Sequence, residues 1–312
     1  MSVRQGSTSG ELELWLGGSV FGWLISQAES WAVLDRFFEL GGRQIDTSDG
    51  YSSSQRGDRL DSESIIGDWV RRMGVANEMR ICTKVGLCHE LPGLRPATVK
   101  EAVQRSLERL GVPQLEAVLA HADDPELDAA EIADALSATA HRQEALRIGL
   151  SGFHPLRARA VAEASQAQSD VPIELLQEEF SLMRQGFLGS ELHQLAGNFG
   201  MHLMATGALA QGFLTGKFQG ATRRVGHRQK YATERYSDAR SHAILQRVHE
   251  LAAQHGVQMA AVSLAWVASH DVATPVASVT SPEQLDAFIE ASRLKVTATE
   301  VALLSDGQAS PD

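Results

Sequence analysis

Apolar residues along this chain fall into two alternating rhythms. Short aliphatic runs recur at 15–17, 43–46, 79–85, 117–121, 146–151, 173–177, 201–205 and 274–278, each the length of a buried strand. Between them, apolar residues return at three- and four-residue spacing, as on a helix with one buried face. The clearest case is 96–110. There Val99, Val103, Leu107 and Leu110 make one stripe, Pro96 suits the first turn and Gly111 suits the stop. The same pattern predicts helices over 27–40, 62–74, 128–143, 154–168, 187–198, 259–270 and 281–294.

Strands that alternate with helices pair in parallel, because each crossover returns the chain to the same end of the sheet. Eight such units in 312 residues predict an α/β fold of one domain, a closed (β/α)₈ barrel spanning 1–312. An open doubly wound sheet is the alternative, but no Gly-x-Gly-x-x-Gly turn follows the first strand. Two stretches stand outside the rhythm. Residues 12–15 suit a small strand or hairpin closing the barrel bottom. Residues 216–237, with Arg223, Arg224, His227, Arg228 and Lys230, read as a long basic loop after strand seven. Loops of that length are often lids or binding loops, and otherwise solvated excursions.

Composition narrows the class. Apolar residues make up 43% of the chain, enough for a large core, and no run approaches the roughly 20 apolar residues of a membrane helix. The first ten residues are polar, so no secretion signal is expected. A net charge of −11 and a pI near 5.5 argue against a nucleic-acid partner. Two cysteines, Cys82 and Cys88, make no disulfide framework, so a cytoplasmic location is expected. Cys88, His89 and Glu90 adjoin one another but fall short of a zinc ligand set, and no metal site is expected.

In a barrel, reactive side chains sit where strands end and the following loops begin. Those positions hold Asp46 and Tyr51 after strand two, Lys84 at the end of strand three, and His121 at the end of strand four. A lysine there is costly to bury unless paired, and Asp46 on the neighbouring strand is its natural partner. Such a pair is expected to lower the Tyr51 phenol pKa by favouring phenolate. Tyr51 can then give a proton to a carbonyl oxygen as hydride reaches carbon, with His121 hydrogen-bonded to the same oxygen. Asp123 and Asp124 read as solvated loop carboxylates or a helix cap. Trp23 suits either a pocket wall or packing, and Gly17-Gly18 a close backbone approach near a ligand.

These residues lie in segments that together resemble the aldo-keto reductase superfamily nearly end to end. The segments are Gly41-Gly-Arg-Gln-Ile-Asp-Thr-Ser-Asp-Gly-Tyr51, Ser62-Glu-Ser-Ile-Ile-Gly67, Ile81-Cys-Thr-Lys-Val-Gly86, Ser106-Leu-Glu-Arg-Leu-Gly111, Leu119-Ala-His-Ala-Asp-Asp-Pro125, Gly212-Phe-Leu-Thr-Gly-Lys217 and Ser281-Pro-Glu-Gln-Leu285. The resemblance implies a catalytic tetrad of Asp46, Tyr51, Lys84 and His121. It also implies a nicotinamide cofactor held by Ser151, Gln177, Thr206, Leu209, Ser278, Thr280 and Gln284. Three positions depart from the family pattern: Gly152 for the usual Asn, Thr206 for the aromatic that stacks on the nicotinamide, and Phe288 for a common Asn. The segment 277–284 holds no Lys or Arg for a 2′-phosphate. A phosphate can still sit on the helix N-terminus near Ser281 or under the basic 223–230 loop, so NADPH is slightly favoured and NAD(H) is the alternative.

The leading expectation is therefore an NAD(P)H-dependent reductase of a small carbonyl compound, an aldehyde, ketone or keto-sugar, acting without membrane or nucleic acid. Two alternatives stay open. One is a nucleotide-binding regulatory barrel with slow turnover, like the superfamily members associated with potassium channels. The other is a non-redox lyase or isomerase using Tyr51 and Lys84 as an acid–base pair.

Overall fold

The computed structural model describes residues 14–51, 61–218 and 227–305. Among them, eight parallel strands close into a barrel in sequence order. These are β1 (Trp15–Gly17), β2 (Gln44–Asp46), β3 (Arg80–Val85), β4 (Leu115–Ala120), β5 (Ala145–Ser151), β6 (Ile173–Glu179), β7 (His202–Thr206) and β8 (Ala273–Ala277). The expected (β/α)₈ class is the observed one. Closure comes from β1 pairing with β8, where Trp15 stands opposite Val276 and Leu16 opposite Ala277.

Around the barrel lie α1 (Gln27–Glu39), α2 (Ser62–Met73), α3 (Pro96–Leu110), α4 (Ala129–His141), α5 (Pro155–Gln168), α6 (Glu191–Phe199), α7 (His227–Arg235), α8 (Ala239–His255), α9 (Met259–Ala268), α10 (Asp286–Arg293) and α11 (Ala298–Ser305). Local chemistry sets their ends. A capping box joins Ser26 and Glu29 at the start of α1, and left-handed glycines stop α2 and α3 at Gly74 and Gly111. Trp15, Cys82, Ala117, Leu119, Leu175, Met204 and Val276 fill the barrel interior, while a larger apolar layer lies between strands and helices. Gly67 lets α2 approach α3 closely, since a Cβ there would stand 1.8 Å from the Arg109 carbonyl oxygen.

Several expectations are corrected. The stretch read as one loop over 216–237 contains helix α7, held to the barrel by Arg235 pairing with Glu179 at 2.8 Å. Helices α8 and α11 were not expected. The helix expected over 281–294 opens as a 3₁₀ turn, Pro282–Leu285, before α10, and α6 begins four residues later than the expected 187. Strand β4 ends at Ala120, so His121 lies just beyond it. The proposed closing hairpin over 12–15 falls partly outside the described residues, as do Arg223 and Arg224.

Candidate active site

Backbone bonds carry the strand ladders past their ends and aim four side chains at one point. Thr47 N–H donates to the Cys82 carbonyl at 2.8 Å, Asp49 N–H to that of Lys84 at 3.1 Å, and His121 N–H to that of Val85 at 2.9 Å. Residues 48–51 form a turn closed by Tyr51 N–H on the Ser48 carbonyl. The carbonyl of Tyr51 in turn accepts from Ser62 N–H at the start of α2. Tyr51 is thus tied to both β2 and α2.

Lys84 is fully buried. Its ammonium donates to Asp46 Oδ1 at 2.7 Å, to Oδ2 at 2.9 Å and to the Thr47 carbonyl at 2.7 Å. Burial disfavours the charged ammonium, but Asp46, Tyr51 and Cys82 together more than offset this and hold Lys84 above the usual lysine range. The Lys84 nitrogen lies 4.9 Å from the centre of the Tyr51 ring. The rings of Tyr51 and His121 meet edge to face, with centroids 5.6 Å apart.

The expected fall in the Tyr51 pKa is not what this arrangement produces. Burial pushes the phenol above the usual tyrosine range; Lys84 pulls it down, and Asp46 cancels part of that pull. A lysine paired with a bidentate carboxylate favours a nearby phenolate less than a free one would, and desolvation wins. Tyr51 is consequently a protonated phenol at neutral pH, a donor in waiting. His121 is held neutral: burial, reinforced by Lys84, lowers its pKa to about 3.

A groove of about 370 Å³ opens from Asp46 and Tyr51 and runs along the strand ends past Thr206, Leu209, Ser278, Thr280 and Gln284 to Phe288. Five of the seven expected cofactor positions therefore line it. Ser151 and Gln177 are not among its described lining residues, and the Gln177 amide donates instead to Asp46 Oδ1 at 2.8 Å. Gly152 keeps a left-handed backbone at φ 65°, and its N–H donates to Glu178 Oε1 at 3.0 Å.

Sequence reasoning missed other wall residues. Ser19, Gln211, Lys217 and Gln258 line the groove; Lys217 stood in a recognised motif, but nothing in the sequence showed that it faces inward. Gly17 meets its expectation of close approach, since a Cβ there would lie 2.5 Å from Ser278 Oγ. Trp23 stands outside the groove, 41% exposed. Asp123 and Asp124 do more than meet solvent. Asp123 takes two bonds from Arg157, at 2.9 and 3.0 Å, and Asp124 accepts from Leu94 N–H at 3.0 Å.

With the barrel and this cluster described, the sequence comparisons decide the family. The model of the aldo/keto reductase family matches residues 13–306. The chain belongs to that family. Among curated aldo-keto reductases and their relatives, it is 26% identical to aldo-keto reductase ausK of Aspergillus calidoustus over 88% of this chain and 71% of that protein. It is also 26% identical to L-glyceraldehyde 3-phosphate reductase of Escherichia coli K12, over 87% of this chain and 81% of that protein. Protein tas of the same strain is again 26% identical, with 93% and 92% covered. Aldo-keto reductases are oxidoreductases, and this chain is one of them. Among the described residues no helix is long and apolar enough to cross a membrane.

Proposed function

We propose that this aldo-keto reductase reduces the carbonyl group of a small aldehyde, ketone or keto-sugar, with Tyr51 as general acid. The observation that carries the reading is a half-buried Tyr51, its pKa raised, set between Lys84 and His121 at the end of a long groove. The groove suits a nicotinamide dinucleotide. Its walls offer hydroxyls and amides from Ser19, Ser278, Thr280, Gln284 and Gln258, a cation at Lys217, and a floor at Gly17 that a Cβ would fill. When bound, the dinucleotide supplies hydride to the carbonyl carbon. NADPH is the favoured form and NADH the alternative.

The protein's own work is to receive the charge that appears on oxygen. Lys84 commits its three N–H groups to Asp46 and Thr47, so it faces Tyr51 as a charge, and the phenolic proton points at the substrate. As the oxygen gains electron density, it takes that proton, and the tyrosinate left behind lies beside the Lys84 ammonium. His121, kept neutral by partial desolvation and by Lys84, orients the carbonyl as a hydrogen-bond donor without introducing a competing acid. One hydride and one proton complete the alcohol.

Tyr51→Phe tests this. General acids commonly contribute about 10²–10⁴ in rate, so turnover of generic aldehydes should fall by that order while dinucleotide affinity, followed by tryptophan fluorescence, stays within a few-fold. Retention of half the turnover would end the reading. A nucleotide-holding protein with slow turnover is the second reading. The commitment of the Gln177 amide to Asp46 and the small Thr206 in the groove favour it, and low wild-type turnover alongside tight binding would select it.

A further inference from the structure

Behind His121 lies a polar chain that the reduction does not use. Its Nδ1 is 2.9 Å from Ser48 Oγ. Ser48 Oγ accepts from Gly50 N–H at 3.1 Å, and two further oxygens lie near it: the Lys84 carbonyl at 3.3 Å and Asp49 Oδ1 at 3.4 Å. The hydroxyl has one proton to give and three places to give it. If it donates to Nδ1, the neutral imidazole must carry its own proton on Nε2. If it donates to Asp49, it accepts from Nδ1–H, and Nε2 is bare.

We infer that Asp49 and Ser48 are positioning residues that set the tautomer of His121, so that the imidazole donates a hydrogen bond when Asp49 is protonated and accepts one when Asp49 is ionised. The exchange balances bond by bond. The Asp49 carboxyl proton passes to Ser48 Oγ, the former Ser48 proton bonds to Nδ1, and Nε2 releases its proton into the groove. One proton leaves the chain and the ring stays neutral throughout.

Asp49 is placed to make that choice near neutrality. It is 4% exposed, and among the described residues its Oδ2 has no hydrogen-bond partner. Burial raises its pKa to about 7, with Glu63 of α2 adding to the rise; Arg109 of α3, Ser48 and the Gly86 N–H work against it. Arg109 is itself shared, bonding Glu63 at 2.6–2.7 Å with Asp61 nearby, so its charge is only partly available to Asp49. His121 is faced by Lys84 and Tyr51 and does not become charged in this range.

The consequence is directional and rests on the carbonyl-reductase reading. An Nε2–H suits a carbonyl oxygen, whereas a bare Nε2 suits the hydroxyl of an alcohol. The protein should therefore favour carbonyl binding below about pH 7 and alcohol binding above it.

Nitrogen-15 spectra of histidine-labelled full-length protein, without nucleotide, test the switch independently of catalysis. The His121 signals are identified by their loss in His121→Gln. In wild type the proton should sit on Nε2 at pH 5.5 and on Nδ1 at pH 8.5, with a midpoint near 7. Asp49→Asn and Ser48→Ala should each abolish that transition. In turnover assays, Ser48→Ala should remove the fall in kcat/KM for carbonyl reduction above pH 7, which wild type should show as a several-fold loss by pH 8.5. A wild-type tautomer that does not change between pH 5.5 and 8.5, or a transition that persists in both variants, would overturn the inference. Failure of Tyr51→Phe to lose turnover would instead overturn the reductase reading and leave the tautomer result intact.

Discussion

Lys84 makes plain what a single buried charge demands. An ammonium without solvent contact survives only because two carboxylate oxygens and a carbonyl take its protons. Lys84→Met keeps the bulk but leaves Asp46 with the Gln177 amide alone. Breaking a buried pair from one side commonly costs about 3–5 kcal/mol, and denaturant unfolding should show a loss of that order. The variant should also raise the Tyr51 pKa further, because the one charge that favours phenolate is gone. The alkaline limb of the pH–rate profile should accordingly move upward. Superimposable profiles for the two proteins would contradict the placement of Lys84 against Tyr51. Asp46→Asn should be milder in activity, since Lys84 keeps its charge and loses only an orienting partner.

At the scale of elements, the strand–helix alternation was legible because each unit buries one face. The stripe on 96–110 appears as α3 with its expected ends. What escaped has physical reasons. Helix α8 carries a readable stripe, Ile244, Leu245, Val248, Leu251 and Ala252, behind an Asp238 cap, but eight strand–helix units close a barrel without it, and its segment follows a region read as loop. Helix α7 is highly polar and stays on the barrel through Ala232, Tyr236 and the Arg235–Glu179 pair, contacts that no local pattern announces. The convergence of Asp46, Tyr51, Lys84 and His121 was legible from strand-end positions. Ser48 and Asp49 were not, because their meaning depends on distances to a ring 73 residues on from Ser48. Two tests belong here. Gly67→Ala should force α2 from α3; overpacking commonly costs about 1–3 kcal/mol, to be read as a lowered melting temperature with unchanged chemistry in the surviving fold. Replacing Arg223, Arg224 and Arg228 with Ala should weaken NADPH more than NADH in equilibrium titrations. Equal losses would mean that these arginines do not read a phosphate.

The whole molecule carries a net charge of −11, yet the proposed cofactor of its groove is an anionic dinucleotide. Long-range repulsion should slow encounter, and salt should relieve it, since the screening length falls to about 8 Å at physiological ionic strength. Stopped-flow association of NADPH is expected to speed up between low and physiological salt, the reverse of what an electropositive protein shows. The closed sheet adds a mechanical consequence. Strands β1 and β8 meet at two register pairs only, and the groove lies across that seam, with Gly17 against Ser278 and Ser19 Oγ 3.2 Å from Ser278 Oγ. The β1–β2 ladder is as short, so β1 is the strand held by the fewest register pairs on both sides. A molecule bound there acts as a clasp, so backbone amides of β1 and β8 should be the ones whose deuterium uptake slows most when the groove fills, joining the first strand to the last in one cooperative unit.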